Sequence, residues 1–427
     1  MGNREISRYE EYCQFRTSVR GSRDYMLVGI DVAKERHHAF FGTATGKTLL
    51  KRLIFDNDRT GFEQLIERAE QLMVAHSCRK VAFGLEPTGN YHKPLANWLL
   101  EQDQLLVLVS NKAIADNRES LDGRWDKNDT KDSANVADLM AQGKCQFFEK
   151  PSAELTALRS LLSLRKRLKR DEHSLRMQIR NGLLVRHFPE MDRLWGSCLK
   201  ENLAIVRSCL DPRTISAMPF NEFLRRVTDR DRGLRQVKRL QRIHEVAGTS
   251  IGCPVDEAVQ FEALQLVDRL NDLRDRISHT EKQIADICQG FSSYRRLLTI
   301  PGFGPYVASQ VIARIGDPHR FAGRKQLIRL AGYDLNAKRS GKTSDKAVPV
   351  ISKRGNGDLR YALYQAAQIA SYHDNGFRAL YTRYLQGRER ERGIKTKMRV
   401  KLAVKMLVIA WCMMRDDTDY NPSLLKV

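Results

Sequence analysis

The stretch Tyr25-Met-Leu-Val-Gly-Ile-Asp31-Val-Ala-Lys34 constrains this chain more than any other. Its apolar, partly β-branched beginning is too short for a long helix and reads as a buried strand. Asp31 ends the apolar run, and the sequence turns polar at Lys34. A carboxylate at the end of a buried strand is costly unless a cation or a metal compensates it. The fold therefore has to bring such a partner to Asp31.

Residues 36–42 and 47–55 read as two further strands around a turn with Gly42, Thr43, Thr45 and Gly46, giving a three-stranded meander. Residues 59–75 have helical spacing, with Phe62, Leu65, Ile66, Ala69, Leu72 and Met73 on one side. Residues 80–85 form a short strand that again ends in a carboxylate, Glu86. Residues 94–100 read as a helix and 105–109 as a strand. A meander followed by alternating helix and strand predicts an α/β domain with a mixed sheet over 25–150. Residues 1–24 are polar and basic and are expected to be a poorly ordered tail.

In Asp126-Lys-Asn-Asp129-Thr-Lys-Asp132-Ser-Ala, helical spacing sets Asp129 and Asp132 on one face. Such like charges weaken a helix by a few tenths of a kcal/mol, a penalty that a divalent cation removes. The alternative is that Asp129 caps the helix and Asp132 is solvated. Asp31 and Glu86 change the balance, because functional groups of open α/β sheets gather at the carboxyl ends of strands. Four oxygen ligands there suit Mg²⁺ or Mn²⁺. Two such ions stabilise both the attacking and the leaving oxygen of a phosphoryl displacement.

Charge points to the same substrate. The 427 residues carry 73 Lys and Arg against 51 Asp and Glu, a net +22 spread along the chain. That balance implies a polyanion, most often nucleic acid; a merely soluble basic protein is the alternative. The eight cysteines form no C-x-x-C pair and no Cys/His ligand spacing, so reduced thiols and no structural zinc are expected. The N-terminus lacks an apolar signal segment. The apolar run 402–414 is interrupted by Lys405 and is too short to span a bilayer. The expectation is a cytoplasmic protein with no membrane partner.

Residues 151–292 change character. Leu155, Leu158, Leu161, Leu164, Leu168, Leu175 and Ile179 make an apolar stripe opposite Arg165, Lys166, Arg167, Lys169 and Arg170. Leu266, Leu270, Leu273, Ile277, Thr280, Ile284 and Ile287 alternate spacings of four and three, a heptad seam. The two read as arms of an antiparallel, coiled-coil helical hairpin. Residues 191–255 between them, punctuated by Pro212, Pro219, Gly233, Gly248, Gly252 and Pro254, read as short, broken helices.

The mostly helical last domain, 293–427, opens with Ile-Pro-Gly302-Phe-Gly304-Pro before an apolar helix. This is similar to a helix-hairpin-helix motif, whose small turn lets backbone N–H groups approach a DNA phosphate. A basic, glycine-containing loop follows, with Arg339-Ser340-Gly-Lys342, then Ser-Lys353-Arg354-Gly-Asn356 and Arg360 at the start of a helix running from about 356 to 368. By itself a serine in such a loop is usually a phosphate contact or turn residue. As a nucleophile its hydroxyl needs a base or metal, and flanking cations would steady a pentacoordinate phosphate. Residues 395–414 form an amphipathic terminal helix.

Three motifs carry a resemblance: Gly-Ile-Asp31-Val-Ala-Lys, Gly-Leu-Glu86-Pro-Thr-Gly-Asn-Tyr91, and Lys127-Asn-Asp129-Thr-Lys-Asp132-Ser-Ala. Together they resemble the DEDD signature of the IS110 insertion-sequence transposases, which the Piv DNA invertases share. The family more often has Thr and Ala where Asn128 and Ser133 stand. The Ser-Gly-Lys and Ser-Lys-Arg-Gly-Asn-x-x-Leu-Arg pattern resembles that family's C-terminal domain. The resemblance implies a RuvC-like, ribonuclease-H-type first domain and a coiled-coil insertion used for dimerisation. It also implies a structured noncoding guide RNA and a nucleophilic serine, which maps onto Ser340 ahead of Ser344 and Ser352. The expected function is cutting and rejoining DNA as a homo-oligomer, with Asp31, Glu86, Asp129 and Asp132 binding metal. Gly302, Gly304, Arg339, Lys342, Lys353, Arg354, Asn356 and Arg360 are expected to meet nucleic acid. The alternatives are a site-specific invertase, a junction nuclease that uses water, and a non-catalytic nucleic-acid-binding protein.

Overall fold

The run from Tyr25 becomes β1 (Tyr25–Asp31), buried as far as Ile30. It is a middle strand of a six-stranded sheet in the computed structural model, which describes residues 8–87, 89–122, 129–148, 150–195, 200–228, 233–336 and 350–425. The other strands are β2 (Arg36–Thr43), β3 (Thr48–Asp56), β4 (Lys80–Leu85), β5 (Leu106–Leu108) and β6 (Gln146–Phe147), in the order β3-β2-β1-β4-β5-β6. The β1–β2–β3 meander is antiparallel, β1, β4 and β5 run parallel, and β6 closes the edge antiparallel.

Alternation along β1 divides the packing. Met26, Val28 and Ile30 join Phe83, Leu85, Phe41 and Phe55 under α2 (Arg59–Ala75) and α3 (His92–Glu101). The Asp58 carboxylate caps α2 by accepting the Gly61 N–H at 2.8 Å. Tyr25 and Leu27 face the other way, into a core with Ile114, Val136, Ala137 and Met140. That face carries α1 (Arg8–Val19), α4 (Asn111–Asp122) and α5 (Asp129–Ala141).

Helix α1 corrects the expectation of a poorly ordered tail. Phe15 and Val19, one turn apart, are buried, and Phe15 packs on Tyr25 and Phe147. The Tyr12 hydroxyl donates to the Cys145 carbonyl. Two apolar anchors at i and i+4 are enough to seat a helix whose other positions are mostly polar.

By its contacts the chain divides into two compact units, residues 1–152 with 317–330, and residues 153–316 with 331–427. In the second, α6 (Ala153–Met177) lies along the helix Glu257–Gln289. The ion pairs Arg165–Glu281 at 2.6 Å and Arg274–Glu172 at 3.3 Å fix the two as antiparallel. Leu266, Leu270, Ile277, Thr280 and Ile284 of the heptad seam are buried. The short helices between the two arms enclose a core of their own around Phe188, Trp195 and Phe223. Downstream come Ser293–Leu297, Pro305–Ile315, Gly357–His373, Asn375–Leu385 and the terminal helix Ile394–Asp416. A two-stranded ribbon, β7 (Leu335–Asn336) and β8 (Val350–Ile351), precedes Gly357–His373.

Candidate active site

Strand register brings the first two acidic residues together. Ile30 pairs with Leu85 in the parallel β1–β4 ladder, so Asp31 and Glu86, one residue further on, stand side by side at the carboxyl ends of neighbouring strands. Adjacent strands lie about 4.8 Å apart. Leu27 and Gly29 on β1, and Ala82 and Gly84 on β4, face α5. Alternation puts Asp31 and Glu86 on that same face, and both are half-buried.

Helix α5 lies in a trough made by two glycines that are register partners, Gly29 and Gly84. A Cβ on Gly29 would sit 2.1 Å from the Ser133 carbonyl oxygen and 2.6 Å from the Ala137 nitrogen. A Cβ on Gly84 would meet Met140 Sδ at 2.2 Å. This close approach sets the turn holding Asp132 and Ser133 over β1, two positions before Asp31. Asp129 opens the helix one turn earlier.

Asp132 is 1 % exposed and faces a cation of the chain itself: Arg118 Nη2 of α4 lies 2.6 Å from its Oδ1. Among the described residues, neither that oxygen nor Arg118 Nε makes a directed hydrogen bond. Helix α4 is held on α5 by buried amides. Asn117 Nδ2 donates to Asn135 Oδ1 at 2.6 Å and to Asp138 Oδ2 at 2.9 Å, and Asn135 Nδ2 donates to the Ile114 carbonyl at 2.8 Å. Among the described residues no three carboxylate, imidazole or thiolate side chains converge as a metal site. In kind the donors fit a hard divalent ion: an all-oxygen set, with one buried carboxylate oxygen lacking a directed donor.

Sequence patterning does not reveal two neighbours of this centre, His38 and Arg118. His38 is the register partner of Asp31 across the β1–β2 ladder, on the α5 face. Only the strand register discloses it. The adjacent His37 points the opposite way, fully buried against Phe55 and Phe62. Its Nδ1 accepts the Ala33 N–H at 3.2 Å, tying down the turn just beyond Asp31. Burial holds its pKa below the ordinary 6.5. Protonation therefore favours the unfolded chain, and the stability His37 contributes above pH 6.5 is lost as pH falls toward the lowered folded value. Thermal midpoints between about pH 7.5 and about pH 5.5 should depend less on pH in His37→Phe than in the native chain.

In the second unit the small turn divides its glycines between two tasks. Gly302 has φ +85°, and a Cβ there would lie 2.4 Å from the Ala366 carbonyl, so its bareness serves packing on Gly357–His373. Gly304 has open space about it and starts the helix Pro305–Ile315. Asn356 caps Gly357–His373 by accepting the Leu359 N–H at 2.9 Å. Arg360 donates from Nη1 to the Ala331 and Gly355 carbonyls, bracing the strand-to-helix turn from below. Lys353, at φ +56°, and Arg354 remain exposed. The Ser352 hydroxyl donates to Asp334 Oδ1 at 2.6 Å, and the Arg354 N–H points at its oxygen at 3.3 Å, so this serine serves as a turn lock. Arg339, Ser340, Lys342 and Ser344 lie outside the described residues, as does the side chain of Asp129.

Comparison with known proteins places both ends of the chain in one family. The family model of the IS110 DEDD transposases matches residues 28–189, and that of the IS116/IS110/IS902 transposases matches residues 294–382. The chain belongs to the IS110 family of transposases.

The transposase is 24 % identical over 409 residues to the uncharacterized protein of insertion element IS116 from Streptomyces clavuligerus, covering 94 % of this chain and 97 % of that one. It is 22 % identical over 416 residues to the transposase of IS1111A from Coxiella burnetii, covering 97 % of each. A pilin gene-inverting protein of Moraxella lacunata is 25 % identical over 177 residues, 39 % of this chain and 54 % of that one. A transposase acts on DNA by cutting and rejoining it. Among the described residues no helix is long and apolar enough to cross a membrane.

Proposed function

We propose that this transposase cuts and rejoins DNA at a carboxylate centre of Asp31, Glu86, Asp129 and Asp132, with Ser340 as nucleophile. The observation that carries the reading is the register of Asp31 beside Glu86 on the face crossed by α5. The strand order, a meander joined to parallel strands, supports a RuvC-like, ribonuclease-H-type domain. The four carboxylates would hold Mg²⁺ or Mn²⁺, which supplies Lewis-acid stabilisation of charge on phosphate oxygens. In the reaction, Ser340 Oγ forms a bond to phosphorus as the bond to the leaving deoxyribose oxygen breaks. The hydroxyl proton leaves the serine, and the leaving oxygen gains one. The phosphoserine link keeps the phosphodiester energy, and attack by a deoxyribose hydroxyl reverses the step to rejoin a strand. Lys353 and Arg354, exposed just after β8, would hold backbone phosphates.

The net charge of +22 suits a second polyanion, a structured noncoding RNA that guides the enzyme to its DNA. The half-buried Leu161, Leu164 and Leu168 on α6 suit a contact between copies, in keeping with a coiled-coil homo-oligomer. The likeness to pilin gene-inverting proteins favours inversion as the second reading.

Trapping on DNA carrying the element ends tests the nucleophile. The native chain should form a protease-sensitive covalent adduct that is absent in Ser340→Ala. Normal cleavage by Ser340→Ala, with free ends, would instead make the enzyme a nuclease that uses water.

A further inference from the structure

Arg118 does not form the pair expected of a structural salt bridge. Two other arginines of this chain hold carboxylates as two-pronged forks, whereas Arg274 meets Glu172 through Nε. Arg180 reaches Asp192 through Nε at 2.7 Å and Nη2 at 3.3 Å. Arg213 reaches Asp211 through Nε at 3.0 Å and Nη2 at 2.7 Å. Such forks are the strong, geometry-defining form of the interaction. Arg118 touches Asp132 with one nitrogen at 2.6 Å, and among the described residues neither that oxygen nor Arg118 Nε has a directed hydrogen bond. Yet Asp132 is 1 % exposed and cannot be left without positive charge. The contact neutralises charge through a single nitrogen.

The helix that carries the arginine is anchored beside it. Asn117, the preceding residue, is fixed to Asn135 and Asp138 of α5, and Gln142 Nε2 closes the same network on Asp138 at 2.6 Å. The Arg118 side chain is 23 % exposed although its Nε is buried, so part of it borders solvent, whereas the Asp132 side chain is 2 % exposed.

We infer that Arg118 is a resident counter-ion for Asp132, and that a divalent cation enters the carboxylate centre by displacing it. This rests on the carboxylate-centre reading above. Arg118 is a positioning residue in this scheme. It keeps Asp132 charged and turned toward α4 until the ion takes its place, and then swings toward solvent. An enzyme that severs DNA gains from such an arrangement, because the centre stays satisfied and idle in its metal-free state.

Binding of Mn²⁺ and Mg²⁺ to the full chain, by calorimetry and by thermal shift, tests this apart from catalysis. Arg118→Met keeps the aliphatic stem and removes the charge. It should melt lower than the native chain without metal, regain that loss with Mn²⁺, and bind Mn²⁺ about tenfold more tightly. Arg118→Lys should bind like the native chain. Equal or weaker Mn²⁺ binding by Arg118→Met overturns the inference. Should Arg118→Met fail to fold, the Arg118 Nε–H resonance of the native chain, assigned by its loss in Arg118→Lys, decides. It should shift as Mg²⁺ is added, and an unmoved resonance at saturation overturns the displacement. Asp31→Asn separates the two readings. Mn²⁺ binding that survives it unchanged removes the carboxylate centre itself. Binding that needs Asp31 but ignores Arg118 removes only the counter-ion role.

Discussion

Asp31→Asn should abolish strand cleavage, by on the order of a thousandfold or more, while leaving the fold in place. The exchange replaces one carboxylate oxygen with an amide of the same shape, so β1 and its ladders have no reason to shift. What is lost is negative charge at the carboxyl end of the central parallel pair, beside Glu86. Glu86→Gln should behave alike. Glu67→Gln, on the exposed side of α2, removes the same charge on the other face of the sheet and should cleave normally. Conversion of a supercoiled plasmid carrying the element ends measures the effect, with circular dichroism to check folding. Cleavage within tenfold of the native rate in Asp31→Asn would remove Asp31 from the chemistry.

The largest stability effect should come from a single methyl group. In Gly29→Ala the new Cβ meets the Ser133 carbonyl and the Ala137 nitrogen, both backbone atoms that no rotamer can move aside. Helix α5 must lift from the sheet, loosening the buried Val136, Ala137 and Met140. A cost of about 3 kcal/mol or more is expected. Gly84→Ala makes an equally short approach, but to the sulfur of Met140, a flexible side chain that can turn away. About 1 kcal/mol is expected there. Urea denaturation, read through hydrogen-exchange protection of residues 25–31 and 80–85, ranks the two. Greater damage from Gly84→Ala would contradict the trough described for α5. The same substitution displaces Asp132, so Gly29→Ala should also lose cleavage in whatever fraction stays folded.

What patterning could reach, and what it could not, divides along physical lines. Helix α2 and strand β4 match their sequence reading to the residue, because a strong 3.6 period with an Asp58 cap, and a short apolar run, leave few alternatives. The antiparallel arms of the second unit were legible from their stripes. Helix α1 escaped because two anchors among ten other mostly polar residues do not make a period. Helix α4 escaped for a different reason: much of its seat is polar, through Asn117 to Asn135 and Asp138, and polarity reads as surface. Residues 191–255 read as short, broken helices and form them, but the core that Trp195 and Phe223 centre was not legible, because its residues come from several of these helices. At the candidate site, the sequence points to Asp31 and Glu86 because β1 ends on the one and β4 is followed by the other. Which residues stand beside them, His38 and Arg118, depends on strand register and on one helix crossing another. Neither is written locally.

The ribbon of β7 and β8 has a practical corollary. Asn336 pairs with Val350, so the polypeptide departs and returns through a single doorway, held shut by Ser352 and Asp334. Doubling the length of a closed excursion costs only about 0.6 kcal/mol. A longer connection between Asn336 and Val350 should therefore leave the pairing of the ribbon and the helix Gly357–His373 beneath it in place, which hydrogen-exchange protection of that helix would read.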